Sequence, residues 1–238
     1  MSQTLEVQVW RGREDGGYQT FEVPARDNQT ILDVVTHIQR ELDPTLSYRF
    51  ACRVGMCGSC AMTVNGKARW TCRTHVKKVA PDGKLQLQPL SNMPVIKDLV
   101  ADMAEFFNKW TRAKGYFVPA EKPSTDFAMI APDSPKRQEA EVGIECINCG
   151  ICYASCDVVA WKPAYLGPAQ LNRAWTLVND ERDHGQRDRA RAVSGDAGCH
   201  SCHSLQACTE RCPKHLDPAY SIAGLKRLTM KAALRGEL

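Results

Sequence analysis

Twelve cysteines stand in this chain of 238 residues, and they fall into three groups. The first is Cys52, Cys57, Cys60 and Cys72; the second is Cys146, Cys149, Cys152 and Cys156; the third is Cys199, Cys202, Cys208 and Cys212. Thiolate sulfur is a soft donor that selects zinc, copper(I) or iron–sulfur clusters over hard cations, so clustered cysteines point to metal chemistry. Cys52-Arg-Val-Gly-Met-Cys57-Gly-Ser-Cys60 reads C-x4-C-x2-C with Cys72 downstream, the plant-type 2Fe–2S spacing. Three thiolates must come from one tight loop, and glycines at 55 and 58 let the backbone come close to a cluster. N–H groups of that loop then donate to sulfur and tune the potential. Four thiolates also suit tetrahedral zinc, but zinc sites more often use two C-x2-C pairs than one irregular loop with a distant fourth cysteine.

The second group differs in kind. Cys146-Ile-Asn-Cys149-Gly-Ile-Cys152-Tyr-Ala-Ser-Cys156 is C-x2-C-x2-C-x3-C, the bacterial ferredoxin run, in which three cysteines hold one cubane and the fourth serves a second cluster. The third group supplies what two clusters still need. Cys212, followed by Pro213, is the natural return ligand to the cluster of Cys146, Cys149 and Cys152; Cys202 and Cys208 remain to join Cys156.

The chain is too long for a small disulfide-stapled scaffold. Met1–Val7 lacks a basic stretch followed by an apolar one, so no export signal is expected and the cysteines point to a reducing compartment. No apolar run approaches the roughly 20 residues of a membrane helix. The net charge of +4 would suit an anionic membrane surface or an acidic partner and is far from the basic stripe of a nucleic-acid binder.

Two different scaffolds must position these groups. Leu5–Trp10 and Tyr18–Val23 alternate apolar and polar residues around a Gly/Asp-rich turn, as a hairpin does. Asp27 or Asn28 is placed to cap a helix over Thr30–Leu42, with Ile31, Leu32, Val35, Ile38 and Leu42 on one face. Met62–Val64 and Lys67–Cys72 flank Asn65-Gly66, a strong hairpin signal, and Leu85–Gln88 supplies a last strand. Strands around one helix with a cysteine loop after it describe a ferredoxin-like β-grasp domain. Asn92–Lys114 reads as a connecting helix, apolar at Val95, Leu99, Met103, Phe106, Phe107 and Trp110, and the four prolines of Phe117–Pro135 mark a surface linker. Helical patterns over Pro168–Val178 and Pro218–Ala233 surround the later cysteines. The expected class is α+β: a 2Fe–2S ferredoxin-type domain over 1–107, a linker over 108–137 and an all-α two-cluster domain over 138–238.

The chain resembles the iron–sulfur subunit of succinate dehydrogenase and fumarate reductase, the succinate:quinone oxidoreductases. The resemblance covers nearly its whole length. It rests on Leu46-Ser-Tyr-Arg-Phe50 leading into the first cysteine loop, on the second run, on Leu166-Gly-Pro168, on Asp183-His184-Gly185 and on Cys212-Pro-Lys-His-Leu-Asp-Pro218. Much of the C-terminal wording is nearer the fumarate reductase branch, whereas Cys202-His203-Ser204 is nearer succinate dehydrogenase.

The resemblance implies 2Fe–2S on Cys52, Cys57, Cys60 and Cys72, 4Fe–4S on Cys146, Cys149, Cys152 and Cys212, and 3Fe–4S on Cys156, Cys202 and Cys208. Leu205 stands where a fourth thiolate would make the last cluster a four-iron one. It further implies a quinone pocket lined by Trp161, His203 and Lys226, with Ala160 in place of the aromatic that precedes the tryptophan in many ubiquinone enzymes. The subunit would carry electrons between FAD on a flavoprotein partner and a membrane quinone, against membrane anchor subunits on the cytoplasmic side of a bacterial inner membrane. It would have no catalysis of its own and no nucleic-acid partner. An electron-transfer subunit of a related flavoprotein, such as a thiol:fumarate reductase, is the alternative. Two residues depart from the family pattern. Asp157 replaces a usual proline and would lower the potential of the last cluster if ionised. Cys199 is an extra thiol, either a buried spare or an unusual fourth ligand.

Overall fold

The structure, a computed structural model, describes residues 4–121 and 126–238. Residues 122–125 of the proline-rich stretch lie outside the described residues. In chain order the strands are β1 (Thr4–Arg11), β2 (Gly17–Pro24), β3 (Ala61–Val64), β4 (Lys67–Trp70), β5 (Lys84–Gln88), β6 (Val95–Lys97) and β7 (Val100–Ala101). The helices are α1 (Ile31–His37), α2 (Val76–Val79), α3 (Ala104–Arg112), α4 (Pro135–Ile144), α5 (Ile151–Ala154), α6 (Asp157–Trp161), α7 (Pro168–Val178), α8 (Gln186–Val193), α9 (Ala207–Glu210) and α10 (Pro218–Leu234). The chain divides into two compact units: Met1–Met103 with Ile147–Ser155, and Ala104–Cys146 with Cys156–Leu238.

The first unit is built on a five-stranded sheet of order β2-β1-β5-β3-β4, in which β1 and β5 pair in parallel and the other pairs are antiparallel. In β1 the period-two pattern sends Leu5, Val7 and Val9 inward and Glu6 outward. Helix α1 lays Ile31, Val34 and Val35 on that buried face. Its cap is Thr30 rather than Asp27 or Asn28: the Thr30 hydroxyl accepts from Asp33 N, and Asp33 accepts from Thr30 N, a reciprocal capping box. The last turn, Ile38–Leu42, widens to a π-type turn. Asn65 and Gly66 both take left-handed backbone, φ 46° and 72°, as a tight hairpin between right-twisting strands requires.

The helix expected over Asn92–Lys114 forms only at its end, as α3. Asn92 and Asp98 adopt φ of 63° and 51°, and Val95–Ala101 becomes the small β6–β7 hairpin. A long-range polar contact outweighs the local periodicity. The buried Asp98 carboxylate accepts from Gly12 N and Ser47 N, both at 2.8 Å, and lies 3.7 Å from Arg11 Nε. Likewise β4 stops at Trp70, and Cys72 sits on a 3₁₀ turn, Thr71–Arg73.

In the second unit α7 is the hub. Almost every residue of it is buried, and α3, α4, α8 and α10 pack against it. Polar side chains of α7 reach backbone on its neighbours: Gln170 Nε2 donates to Phe106 O at 2.9 Å and Asn172 Nδ2 to Gly143 O at 3.0 Å, while Asn172 Oδ1 accepts from Ser221 Oγ at 2.9 Å. The Gln170 contact and the buried Phe106 attach α3 to this unit.

Arg189 and Asp183 form a fully buried ion pair, with Arg189 Nη1 and Nη2 at 2.7 and 3.0 Å from the carboxylate. Arg189 also donates to Lys114 O and Tyr116 O, and Asp183 accepts from Val118 N and Gly185 N. The pair therefore pins the irregular segment at 114–118 to the start of α8, which gives the Asp183-His184-Gly185 motif a structural role. Removing one partner leaves an uncompensated buried charge, which costs about 3–5 kcal/mol. Asp183→Ala is expected to lower the unfolding free energy of the holoprotein, read from a denaturant titration, by that much; a loss under about 1 kcal/mol, the worth of an exposed pair, would contradict the role.

Candidate iron–sulfur sites

The first cysteine loop is strung between α1 and β3. Phe50 stacks on Tyr48 with ring centroids 5.4 Å apart, Arg53 lies over the Phe50 ring at 5.6 Å, and its guanidinium reaches Asp33 of α1 at 3.4 Å. Backbone N–H groups turn inward onto sulfur: Met56 N and Cys57 N donate to Cys52 Sγ at 3.2 and 3.3 Å, and Cys52 N to Cys57 Sγ at 3.5 Å. The Cys52 N–H and then the Ser59 hydroxyl hold the Cys57 thiol down, to about 6. Cys60 and Cys72 are buried at the base of the loop. The Thr71 hydroxyl donates to Cys60 O at 2.8 Å, which ties the turn bearing Cys72 to the loop. Burial, and next the neighbouring Cys60 thiol, push the Cys72 thiol up to about 11. All four cysteines named from the spacing are thus brought together.

The second run is divided between the units. Cys149 and Cys152 belong to the first, with Cys152 on α5. Cys146 and Cys212 belong to the second, where Lys214 and Glu145 form an ion pair at 2.9 Å that draws their two segments together.

Cys156, Cys202 and Cys208 gather within the second unit around Tyr165, a residue that sequence reasoning missed although Leu166-Gly-Pro168 follows it. Tyr165 is buried. Burial first, then the charges of Cys202, Cys156 and Cys208, raise its phenol far above the ordinary range, and its hydroxyl donates to Cys202. Burial raises the Cys156 thiol and lifts Cys208 to about 12. The N–H groups of Val159 and Val158 partly offset this at Cys156. Lys226 Nζ donates to Cys202 O at 2.6 Å, which sets it beside exposed His203. Trp161 ends α6 and is 70% exposed. Cys199 faces away into the core, fully buried, with its sulfur 3.7 Å from Thr229 Oγ1 of α10.

The third group repeats the backbone of the second. Cys149 lies between two left-handed residues, Asn148 and Gly150, with φ of 58° and 79°, and α5 follows with Cys152. Leu205 lies between Ser204 and Gln206, with φ of 56° and 61°, and α9 follows with Cys208.

Among the described residues no cysteine forms a disulfide, and no three His, Cys, Asp or Glu side chains grip a single ion directly. What the loops offer is all-sulfur donor sets with N–H groups aimed at sulfur, the chemistry that iron–sulfur clusters take.

A β-grasp sheet carrying one cysteine loop, followed in the chain by two further cysteine groups set among helices, defines a ferredoxin-type electron carrier. Residues 4–108 match the 2Fe-2S iron-sulfur cluster binding domain family, and residues 145–217 match the 4Fe-4S dicluster domain family. The chain is 36% identical over 213 residues to the fumarate reductase iron-sulfur subunit of Haemophilus influenzae, covering 85% of this chain and 82% of that one. It is 35% identical over 203 residues to mitochondrial succinate dehydrogenase [ubiquinone] iron-sulfur subunit 1 of Oryza sativa subsp. japonica, covering 85% and 72%. Its fold matches a chain of the Mycobacterium smegmatis Sdh1 complex in the apo form with a TM-score of 0.86 and 25% identity, over 97% of both chains. The chain belongs to the succinate dehydrogenase/fumarate reductase iron–sulfur subunit family, whose members are components of oxidoreductases.

Two outcomes follow from the terminal site. Were Cys202 a cluster ligand, a hydrogen bond to its sulfur would favour the more negative, reduced cluster, so Tyr165→Phe would then lower the midpoint potential in a redox titration; an unchanged potential would exclude the contact. Cys199→Ala is expected to keep the iron content and every EPR signal, at a packing cost of about 1 kcal/mol. Loss of iron would instead make Cys199 a ligand.

Proposed function

We propose that this chain is the electron-transfer subunit of a membrane-bound succinate:quinone oxidoreductase. Cys52, Cys57, Cys60 and Cys72 hold 2Fe–2S; Cys146, Cys149, Cys152 and Cys212 hold 4Fe–4S; Cys156, Cys202 and Cys208 hold 3Fe–4S. When bound, the clusters supply one-electron steps between FAD on a flavoprotein partner and a membrane quinone.

The observation that carries this reading is the register of the third group. Cys202-x2-Leu205-x2-Cys208-x3-Cys212 has the spacing of Cys146-x2-Cys149-x2-Cys152-x3-Cys156, and Leu205 shares the left-handed flanks of Cys149. The backbone presents a ligand position, and leucine has no donor to fill it. Three thiolates then favour three irons over four.

On this reading the chain's own residues position and tune these clusters, and the chemistry on carbon belongs to the flavoprotein partner. The exposed indole of Trp161 is available to donate to a quinone carbonyl. Lys226 uses one of its three N–H donors on the carbonyl of Cys202, the residue before His203, which leaves two further donors. Among the described residues no helix is long and apolar enough to cross a membrane, and the proposal assigns the crossing to separate anchor subunits, with this chain docked on the cytoplasmic side of a bacterial inner membrane.

EPR of the assembled complex tests this. The oxidised protein is expected to give a three-iron signal, with about nine irons per chain in all. Leu205→Cys completes C-x2-C-x2-C and is expected to replace that signal with a four-iron signal in the reduced state. A complex without an oxidised-state signal would overturn the three-iron assignment.

A further inference from the structure

Gly58, between Cys57 and Cys60, touches the second cysteine run. Gly58 and Cys149 both lie in the first compact unit. A Cβ built at Gly58 would stand 2.5 Å from Cys149 Cβ, 3.0 Å from Cys149 Cα and 3.4 Å from Ile147 Cδ1, and Gly58 also holds a left-handed φ of 72°. Carbon atoms in good contact are roughly 3.5–4.0 Å apart, so any side chain here must drive the two loops apart by about 1 Å. Two further contacts fasten the same run. Asn92 Nδ2 donates to Tyr153 O and Ala154 O at 3.0 and 3.2 Å, which satisfies carbonyls at the end of α5. Gly150, next to Cys149, leaves room for the Met93 Cε, which a Cβ there would meet at 2.9 Å.

We infer that Gly58 sets the spacing between the first and second clusters, and that Asn92 holds that spacing, as positioning residues for electron transfer between them. The inference rests on the ligand sets proposed above. The absence of a side chain lets the backbone between two ligands of the first cluster lie directly on a ligand of the second. The path between them is then a van der Waals contact fixed inside one compact unit.

The test uses the assembled complex and reads magnetism. With both clusters reduced, each is paramagnetic, and the fast-relaxing 4Fe–4S enhances relaxation of the 2Fe–2S signal in a manner that falls steeply with separation. Gly58→Ala is expected to keep both signals and the iron content while weakening this enhancement several-fold. Gly66→Ala is the control: Gly66 has the same φ of 72° with nothing within 4 Å, and the enhancement is expected to stay unchanged. Asn92→Ala deletes the latch without adding bulk, carries the test if Gly58→Ala does not assemble, and is expected to weaken the enhancement. Unchanged relaxation in Gly58→Ala with both clusters present, or in Asn92→Ala where Gly58→Ala fails, would overturn the inference. Absence of the 4Fe–4S signal from the unmutated complex would overturn the ligand reading beneath it.

Discussion

Thiolates gathered around one point repel one another, and the two units answer this constraint differently. Two unit charges about 4 Å apart at an effective dielectric of about 20 oppose each other by about 4 kcal/mol. In the first loop the backbone is turned so that N–H groups of Cys52, Met56 and Cys57 meet sulfur, and the Cys57 thiol falls to about 6. At the base of the same loop burial dominates, and Cys72 rises to about 11. In the second unit burial dominates again at Cys156 and Cys208. Burial disfavours the thiolate at these positions, so binding a cluster through them would couple to folding. The scaffolding around the cysteines holds them in place against that repulsion.

The scaffold of the terminal site depends on α7 and α10. Because α7 is buried on nearly every side, it gives Tyr165, just ahead of its first turn, a fixed position. On α10, Lys226 and Thr229 are three residues apart and share a face. Lys226 takes the Cys202 carbonyl, and Thr229 takes Cys199 and His200. Cys199 thereby secures the turn before Cys202 to the helix, a use for the extra thiol that needs no metal.

What was legible in the sequence was local. The cysteine spacings, the Asn65-Gly66 turn, the alternation of β1 and the helices at Pro168 and Pro218 each follow from residues close in the chain, and each has its counterpart in the structure. What escaped depends on distant partners. The pattern from Val95 to Trp110 suited one helix, but Asp98 is held by Gly12 and Ser47, which lie far from it in the chain. Thr30 won the cap from Asp27 and Asn28 because Asp33 completes the reciprocal pair. Tyr165 carried no motif of its own, since its role arises only when three separate cysteines converge on it. The contact between Gly58 and Cys149 joins positions far apart in sequence, and a glycine in a cysteine loop already had a local explanation.

The two cysteine runs of the later chain have one backbone and differ at one donor. Left-handed residues flank both Cys149 and Leu205, and a four-residue helix follows each. A loop evolved for three ligands alone would have no need to hold Leu205, which is half-exposed, in the posture of a ligand. Two non-glycine residues, Ser204 and Gln206, accept left-handed backbone to keep it there, a conformation that disfavours side chains with a Cβ. The strain is intelligible if the loop is a ligand loop whose middle donor has been replaced. On the proposed ligand set, the number of irons in the terminal cluster is then decided by one side chain, while the fold around it stays that of a four-iron site.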